Sequence, residues 1–320
     1  MAATAVNRRS FLRAAASASA AVAAAPLPAR LSGEPPGNGG RIRLGAPMTI
    51  ESDDPDVIAR AHRAKGYRAA YCPKVPLGDR ERLRATEDSF ARHEVVIAEV
   101  GRWVNLLNAD PDARRRNLAT VTEGLALAEA VGARCCVDIA GSFSTTSWFG
   151  PHPDNLSPRF FDAAVENART ILDAVKPSRT TFCYEMMAWS LPDSPDECLR
   201  MIKAVDRKAF SVHLDPCNLV NSPTRYYRAS DVIRECYRKL GPRIASVHAK
   251  DLTWDVEMAV HLREVRVGLG SIDYAVFLAE HARSAPEAPL MLEHLPNEAE
   301  YDAARDQVFA TGRRIGVRFD

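Results

Sequence analysis

Past residue 40 the chain settles into a rhythm, in which a short run of apolar or β-branched residues is followed by a longer amphipathic stretch. The short runs lie at 41–46, 68–72, 95–100, 134–139, 180–185, 211–215, 245–249 and 289–294. Each has the nearly continuous apolar character of a parallel strand buried on both faces. The amphipathic stretches lie at 54–65, 79–93, 110–131, 157–175, 194–206, 230–240, 272–283 and 298–315. In the third of these, Leu118, Val121, Leu125 and Leu127 fall on or near one helical face. Ser194-Pro195-Asp196-Glu197 combines a capping box with a proline in the first turn. Gly132 and Gly241 follow helices where a C-terminal stop is expected.

Eight strand–helix pairs predict a single closed (β/α)8 barrel, the TIM barrel of the α/β class, at roughly its usual 250-residue scale. The alternative is an open doubly wound sheet. Against it, the first strand ends in Gly45-Ala46-Pro47 and carries no G-x-G-x-x-G nucleotide turn.

Residues 1–29 read differently. A charged start (NRRSFLR, from Asn7 to Arg13) precedes an Ala-rich apolar run and a small-residue exit ending at Ala29. Those are the three parts of a secretory signal. The apolar run falls short of the roughly 20 residues that span a bilayer. Arg8 and Arg9, followed by Phe11 and Leu12, resemble a bacterial twin-arginine signal. That resemblance implies the twin-arginine export machinery as a partner and a periplasmic destination. Residues 30–40 are rich in Pro and Gly and read as a flexible linker, leaving 41–320 for the barrel. No later segment approaches about 18 consecutive apolar residues, so no transmembrane helix is expected.

Composition narrows the function. Lys and Arg number 42 against 41 Asp and Glu, a net charge of +1. No field of that size gathers nucleic acid or an anionic membrane, which argues against a sequence-independent DNA or RNA binder. The 46 % hydrophobic and 26 % charged content excludes a disordered chain. The seven cysteines include no C-x-x-C pair and sit mostly in apolar runs, as small hydrophobes do.

Barrel enzymes keep their active sites at the C-terminal ends of the strands. The fifth run ends TFCYE at Glu185, and the sixth continues to Asp215 in SVHLDPCN. The seventh reaches His248 in SVHAKD, and the eighth reaches Glu293 in LMLEHL. Adjacent strands lie about 4.8 Å apart, so four such tips on one rim can meet around one ion. Three carboxylates and an imidazole suit a divalent cation, Mn2+ foremost, with Mg2+, Co2+ or Zn2+ as alternatives. Buried carboxylates at apolar strand ends are unfavourable without a cation. Taken singly, each residue has a plain structural explanation as a salt-bridge or packing partner. His213 lies on the same face of its strand as Asp215.

The segments YEMMAW, HLDPCN, VHAKD, GLGSIDY and LEHL resemble the sugar-phosphate isomerase/epimerase family of xylose-isomerase-like barrels. That family includes ketose 3-epimerases, hydroxypyruvate isomerase and inosose dehydratase. The resemblance covers essentially all of 41–320 and is sharpest from Glu185 to Glu293. It implies Glu185, Asp215, His248 and Glu293 as ligands of one divalent metal, with Glu185 and Glu293 as the acid/base pair. Three departures concern the substrate, one of them a distance from His248 to Gly268 longer than in the short epimerases. Asn218 stands where the epimerases usually carry His, and Arg263, Glu264 and Arg266 do not align with the arginine they place before Gly-x-Gly. The related endonucleases that cut DNA at abasic sites use a zinc cluster and more His ligands, in places where this chain has Asn218 and Glu264.

The expected enzyme is a sugar isomerase or epimerase acting on a keto or aldehyde sugar through a metal-stabilised enediolate, with glutamates moving the proton. A dehydratase or lyase using the same first step is the alternative, and an exported sugar-binding barrel without turnover is a third reading. Candidate substrate-binding residues are Glu99 and Trp103 around the third strand's end, Trp148 after the fourth, and Trp189 after the fifth. His213, Asn218 and Lys250 complete the set, Lys250 either reaching a substrate oxygen or pairing with Asp251. Gly268-Leu269-Gly270 is weak as a phosphate cradle, which favours a free, oxidised or glycosidic sugar. A second copy of the chain is a further partner compatible with the sequence.

Overall fold

Asp-Pro and Ser-Pro pairs start most of the helices. The computed structural model describes residues 40–320; the expected signal peptide and nearly all of the expected linker lie outside the described residues. Helices α1 (Pro55–Ala64), α2 (Arg80–Arg92), α3 (Pro111–Val131), α4 (Pro158–Val175) and α5 (Pro195–Val205) come first. They are followed by α6 (Pro216–Leu219), α7 (Pro223–Tyr227), α8 (Ala229–Leu240), α9 (Tyr274–Ser284) and α10 (Glu298–Ile315). Asp54 and Asp110 accept from the amides two residues on, and Ser157 and Ser194 from those three residues on. The proline after each cap lies where no intrahelical N–H is needed. Only half of the Ser194 capping box is seen, because the Glu197 carboxylate pairs with Arg200 instead.

The strands are β1 (Leu44–Gly45), β2 (Ala69–Tyr71), β3 (Val96–Gly101), β4 (Cys135–Asp138), β5 (Thr181–Glu185), β6 (Phe210–Leu214) and β7 (Ile244–Ala249). Then come β8 (Asp251–Trp254), β9 (Leu262–Val265) and β10 (Leu290–Leu292). Eight of them close in parallel in the order β1-β10-β7-β6-β5-β4-β3-β2. Each expected strand run overlaps one barrel strand, with ends differing by up to three residues. Closure depends on Gly45, which pairs with both Met291 and Ala69. A Cβ there would stand 2.5 Å from the Ala69 carbonyl oxygen and 2.6 Å from the Met291 sulfur.

Alternation along β4 separates two layers. Cys136 packs among residues of α3 and α4, whereas Cys135 and Val137 pack with Cys183 of β5 and Ala245 of β7 inside the barrel. All seven cysteines are free, and all but Cys72 are buried. No helix among the described residues is long and apolar enough to cross a membrane.

The structure departs from the sequence reading in two places. An antiparallel hairpin of β8 and β9 follows β7 outside the barrel, and its tip leaves Val256 and Met258 in solvent. Two short helices, α6 and α7, follow β6. Both glycines stand at helix ends as expected: Gly132 ends α3 in the left-handed region, and Gly241 ends α8 at φ −18° and opens a 3-10 turn.

Two buried imidazoles bear on stability. Burial lowers the pKa of His62, on α1, from 6.5 to about 4. His281 is likewise lowered to about 4 by burial, with Tyr237 Oη 2.8 Å from Nδ1 and the Ala288 carbonyl oxygen 3.0 Å from Nε2. Both are neutral when folded and protonate more readily when unfolded. Stability is therefore complete above the unfolded pKa and falls as pH drops from about 6.5 toward 4. Going from pH 7 to 5 should cost about 2 kcal/mol per buried imidazole. His62→Leu should remove about that much of the pH dependence, as read by urea unfolding at both pH values. An unchanged slope would count against a buried neutral His62.

Candidate metal centre

The C-terminal end of the barrel gathers charge from four strands. Glu185 ends β5, its backbone opposite His213 of β6. Asp215 follows β6 and caps α6, its Oδ1 accepting from the Cys217 amide at 3.0 Å. That bond engages Oδ1 and leaves Oδ2 toward His248 and Lys250. His248 lies in β7 opposite Met291 of β10, and Glu293 follows β10 directly. Potential ligand atoms of Glu185, Asp215, His248 and Glu293 all lie within 4.8 Å of one another.

His248 Nδ1 is the shared point. It lies 3.1 Å from Glu185 Oε1, 3.1 Å from Glu293 Oε2 and 3.9 Å from Asp215 Oδ2. Lys250 is 4 % exposed, and its Nζ sits 2.8 Å from Asp215 Oδ2 and 2.7 Å from Glu293 Oε2. It pairs with these carboxylates and leaves Asp251 to another task. Burial opposes the charges on Lys250 and His248, but the surrounding carboxylates outweigh it and hold both pKa values above their ordinary range. Burial also opposes the Asp215 carboxylate, which Lys250 and His248 nonetheless hold below its usual pKa.

The residues fit a divalent ion. Asp215 Oδ2 and Glu293 Oε2 are buried and accept no aligned hydrogen bond, although Lys250 lies within ion-pair distance. Three carboxylates and one imidazole form a hard donor set of mixed O and N type.

Other expected site residues fall into two groups. Asn218 donates to Glu185 Oε1 at 3.3 Å and to the Met186 carbonyl at 3.0 Å. The Trp103 ring lies 6.0 Å from His248 and 6.5 Å from His213. It folds back over Gly101, where a Cβ would stand 2.6 Å from the indole nitrogen. Glu99 and His213 are fully buried against His248: His213 Nε2 is 3.0 Å from Glu99 Oε1, and the two imidazole rings are 4.2 Å apart. Trp148 and Trp189 stay in solvent on the loops after β4 and β5, Trp148 against Phe149.

Asp138 and Tyr71 were not singled out in the sequence. Asp138 ends β4 as Glu185 ends β5. Its Oδ1 accepts from the Val104 and Ile139 amides at 2.9 Å, its Oδ2 is buried without a partner, and burial pushes its pKa well up. Its tip position was the available signal. The buried Tyr71 hydroxyl has no hydrogen-bond partner among the described residues, and its ring lies 6.5 Å from His248. The β8–β9 hairpin brings Glu264 within 3.7 Å of Lys250 and 2.8 Å of His294. Asp251 accepts from the amides of Leu252, Gly268, Gly270 and Ile272 at 2.9–3.0 Å. The Gly-x-Gly amides are therefore already engaged, and a Cβ on Gly270 would collide with Asp251.

Residues 59–310 match the family described as xylose isomerase-like TIM barrel, and the chain belongs to that family. No curated protein matches the sequence. Among solved structures, D-psicose 3-epimerase with D-tagatose from Clostridium cellulolyticum H10 is similar at 14 % identity and TM-score 0.64, over 86 % of this chain and 100 % of that one. A xylose isomerase-like TIM barrel protein from Mycobacterium smegmatis in complex with magnesium is similar at 19 % and 0.58, over 87 % and 96 %. Endonuclease IV from Thermus thermophilus is similar at 15 % and 0.61, over 85 % and 99 %. At these identities the likeness is one of fold.

If the cluster binds an ion, chelator-treated protein should gain about 2.7 kcal/mol of unfolding free energy at a Mn2+ concentration 100 times the dissociation constant. Asp215→Asn should abolish most of that gain in the same unfolding assay. Stability indifferent to Mn2+ would count against the centre.

Proposed function

We propose that this protein is a divalent-metal-dependent isomerase or epimerase of a free, oxidised or glycosidic keto or aldehyde sugar. One observation carries the reading: Glu185 and Glu293, from strands three places apart in the barrel, each come within 3.1 Å of the same His248 nitrogen. Two carboxylates so placed can serve one substrate from two sides.

A divalent ion held by Glu185, Asp215, His248 and Glu293 would supply Lewis-acid polarisation of a sugar carbonyl. One glutamate takes the proton from the carbon beside that carbonyl, and the other delivers a proton. Delivery to the opposite face gives an epimer; delivery to the neighbouring carbon gives an isomer. Lys250, 2.7 Å from Glu293, places a fixed positive charge where negative charge develops on substrate oxygen. Asn218 orients Glu185 through its 3.3 Å hydrogen bond. The Trp103 ring offers an apolar face to sugar C–H groups.

The neutral charge balance, and Asn218 and Glu264 in place of further His, speak against DNA cleavage. Engagement of the Gly268 and Gly270 amides by Asp251 speaks against a phosphate cradle there. The Arg8-Arg9 leader supports action in the periplasm after twin-arginine export.

Incubation with candidate keto-sugars in D2O and Mn2+ should place deuterium beside the carbonyl without loss of water. Glu185→Gln and Glu293→Gln should each lower exchange by about 10²–10⁴-fold, with the circular dichroism spectrum unchanged. Near-normal turnover in either variant refutes the two-carboxylate assignment. An enone chromophore would assign the dehydratase reading instead.

A further inference from the structure

We infer that Glu99 is a positioning residue that holds His248, from the opposite wall of the barrel, in the tautomer able to face a metal. The inference rests on the metal reading above and deepens it.

β3 and β7 stand four places apart in the eight-stranded ring, directly across from each other. Glu99 of β3 is fully buried and reaches across the interior. Its Oε1 accepts from the Ser246 hydroxyl of β7 and lies 3.0 Å from His213 Nε2 of β6. Its Oε2 is left for His248 Nε2, 3.5 Å away. Neither Glu99 Oε2 nor His248 Nε2 has an aligned hydrogen-bond partner among the described residues, and the two atoms lie 3.5 Å apart. The other nitrogen of His248, Nδ1, faces Glu185, Asp215 and Glu293. The two ring nitrogens thus serve two different neighbourhoods.

A neutral imidazole has a single N–H. With the proton on Nε2, Nδ1 presents a lone pair to an ion; with it on Nδ1, that lone pair is lost. An ionised carboxylate only accepts, so Glu99 selects the Nε2–H form, as outer carboxylates do for metal-binding histidines. His213 and Ser246 occupy Oε1 and thereby aim Oε2. The local backbone is adjusted at the same places. The two register shifts in the barrel fall at Ala70/Tyr71, where Tyr71 pairs with Glu99, and at Val212/His213, where His213 pairs with Ser246. Such irregularities re-aim side chains.

Glu99→Gln keeps the size but turns one oxygen into an N–H donor, so His248 or His213 must face the wrong group. Titration with Co2+ should show affinity weakened about 10–100-fold, with an altered visible spectrum, while circular dichroism stays unchanged. Nitrogen-15 spectra of histidine-labelled wild-type protein loaded with Zn2+ should show His248 protonated at Nε2 and bare at Nδ1. This second measurement decides the matter should the variant not fold. Co2+ binding by Glu99→Gln within about threefold of wild type, or a wild-type His248 protonated at Nδ1, would overturn the inference alone. A wild-type protein that takes up no metal would instead overturn the metal reading, and this one with it.

Discussion

Like charge concentrated in a place with little water dominates this molecule. Glu185 and Asp215 are buried at the C-terminal end of the barrel, with Glu293 beside them, Glu99 inside the barrel below and Asp138 at the next tip. Left alone, that many carboxylates would repel one another and resist burial. His248 and Lys250 answer them. Both stand on β7 or just beyond it, and both have pKa values held high by the carboxylates around them. A buried ion pair of this kind is weak evidence for stability, and perturbed groups of this kind cluster at functional sites. These strand tips are where the proposed function puts a cation and its substrate.

Barrel closure makes the gathering possible. β1 contributes only two paired residues, and a side chain on Gly45 would push against both neighbours. Beyond β7 the chain alternates: Lys250 turns into the site, while Asp251 turns away to clasp the amides of the Gly268–Ile272 loop. Tyr274 secures the same turn by donating to the Lys250 carbonyl at 2.9 Å. One dipeptide therefore supplies a charge to the centre and an anchor for the hairpin that carries Glu264 beside it.

Much of this was legible in the chain. The Asp-Pro and Ser-Pro starts marked helices, and the continuous apolar runs marked buried strands. Once those were in place, the strand tips singled out Glu185, Asp215, His248 and Glu293. Other parts were not legible. The β8–β9 hairpin has a solvent-exposed tip with Val256 and Met258, so its apolar residues follow no burial pattern. Glu99 read as a pocket residue near a strand end, yet it lies inside the barrel against His213 and Ser246. Asp138 was passed over although it occupies the same tip position as the four.

The sequence by itself determined the alternation of strands and helices, the caps that begin the helices, and which polar residues end the strands. These depend on neighbours a few positions away, through periodicity and local hydrogen bonds. Only the tertiary structure decided that Glu99 meets Ser246, 147 residues along the chain, that Lys250 pairs with Asp215 and Glu293, and which nitrogen of His248 faces the carboxylates. Those contacts arise from strand register and from the direction of side chains across a closed barrel, and neither quantity is carried by any local stretch of chain.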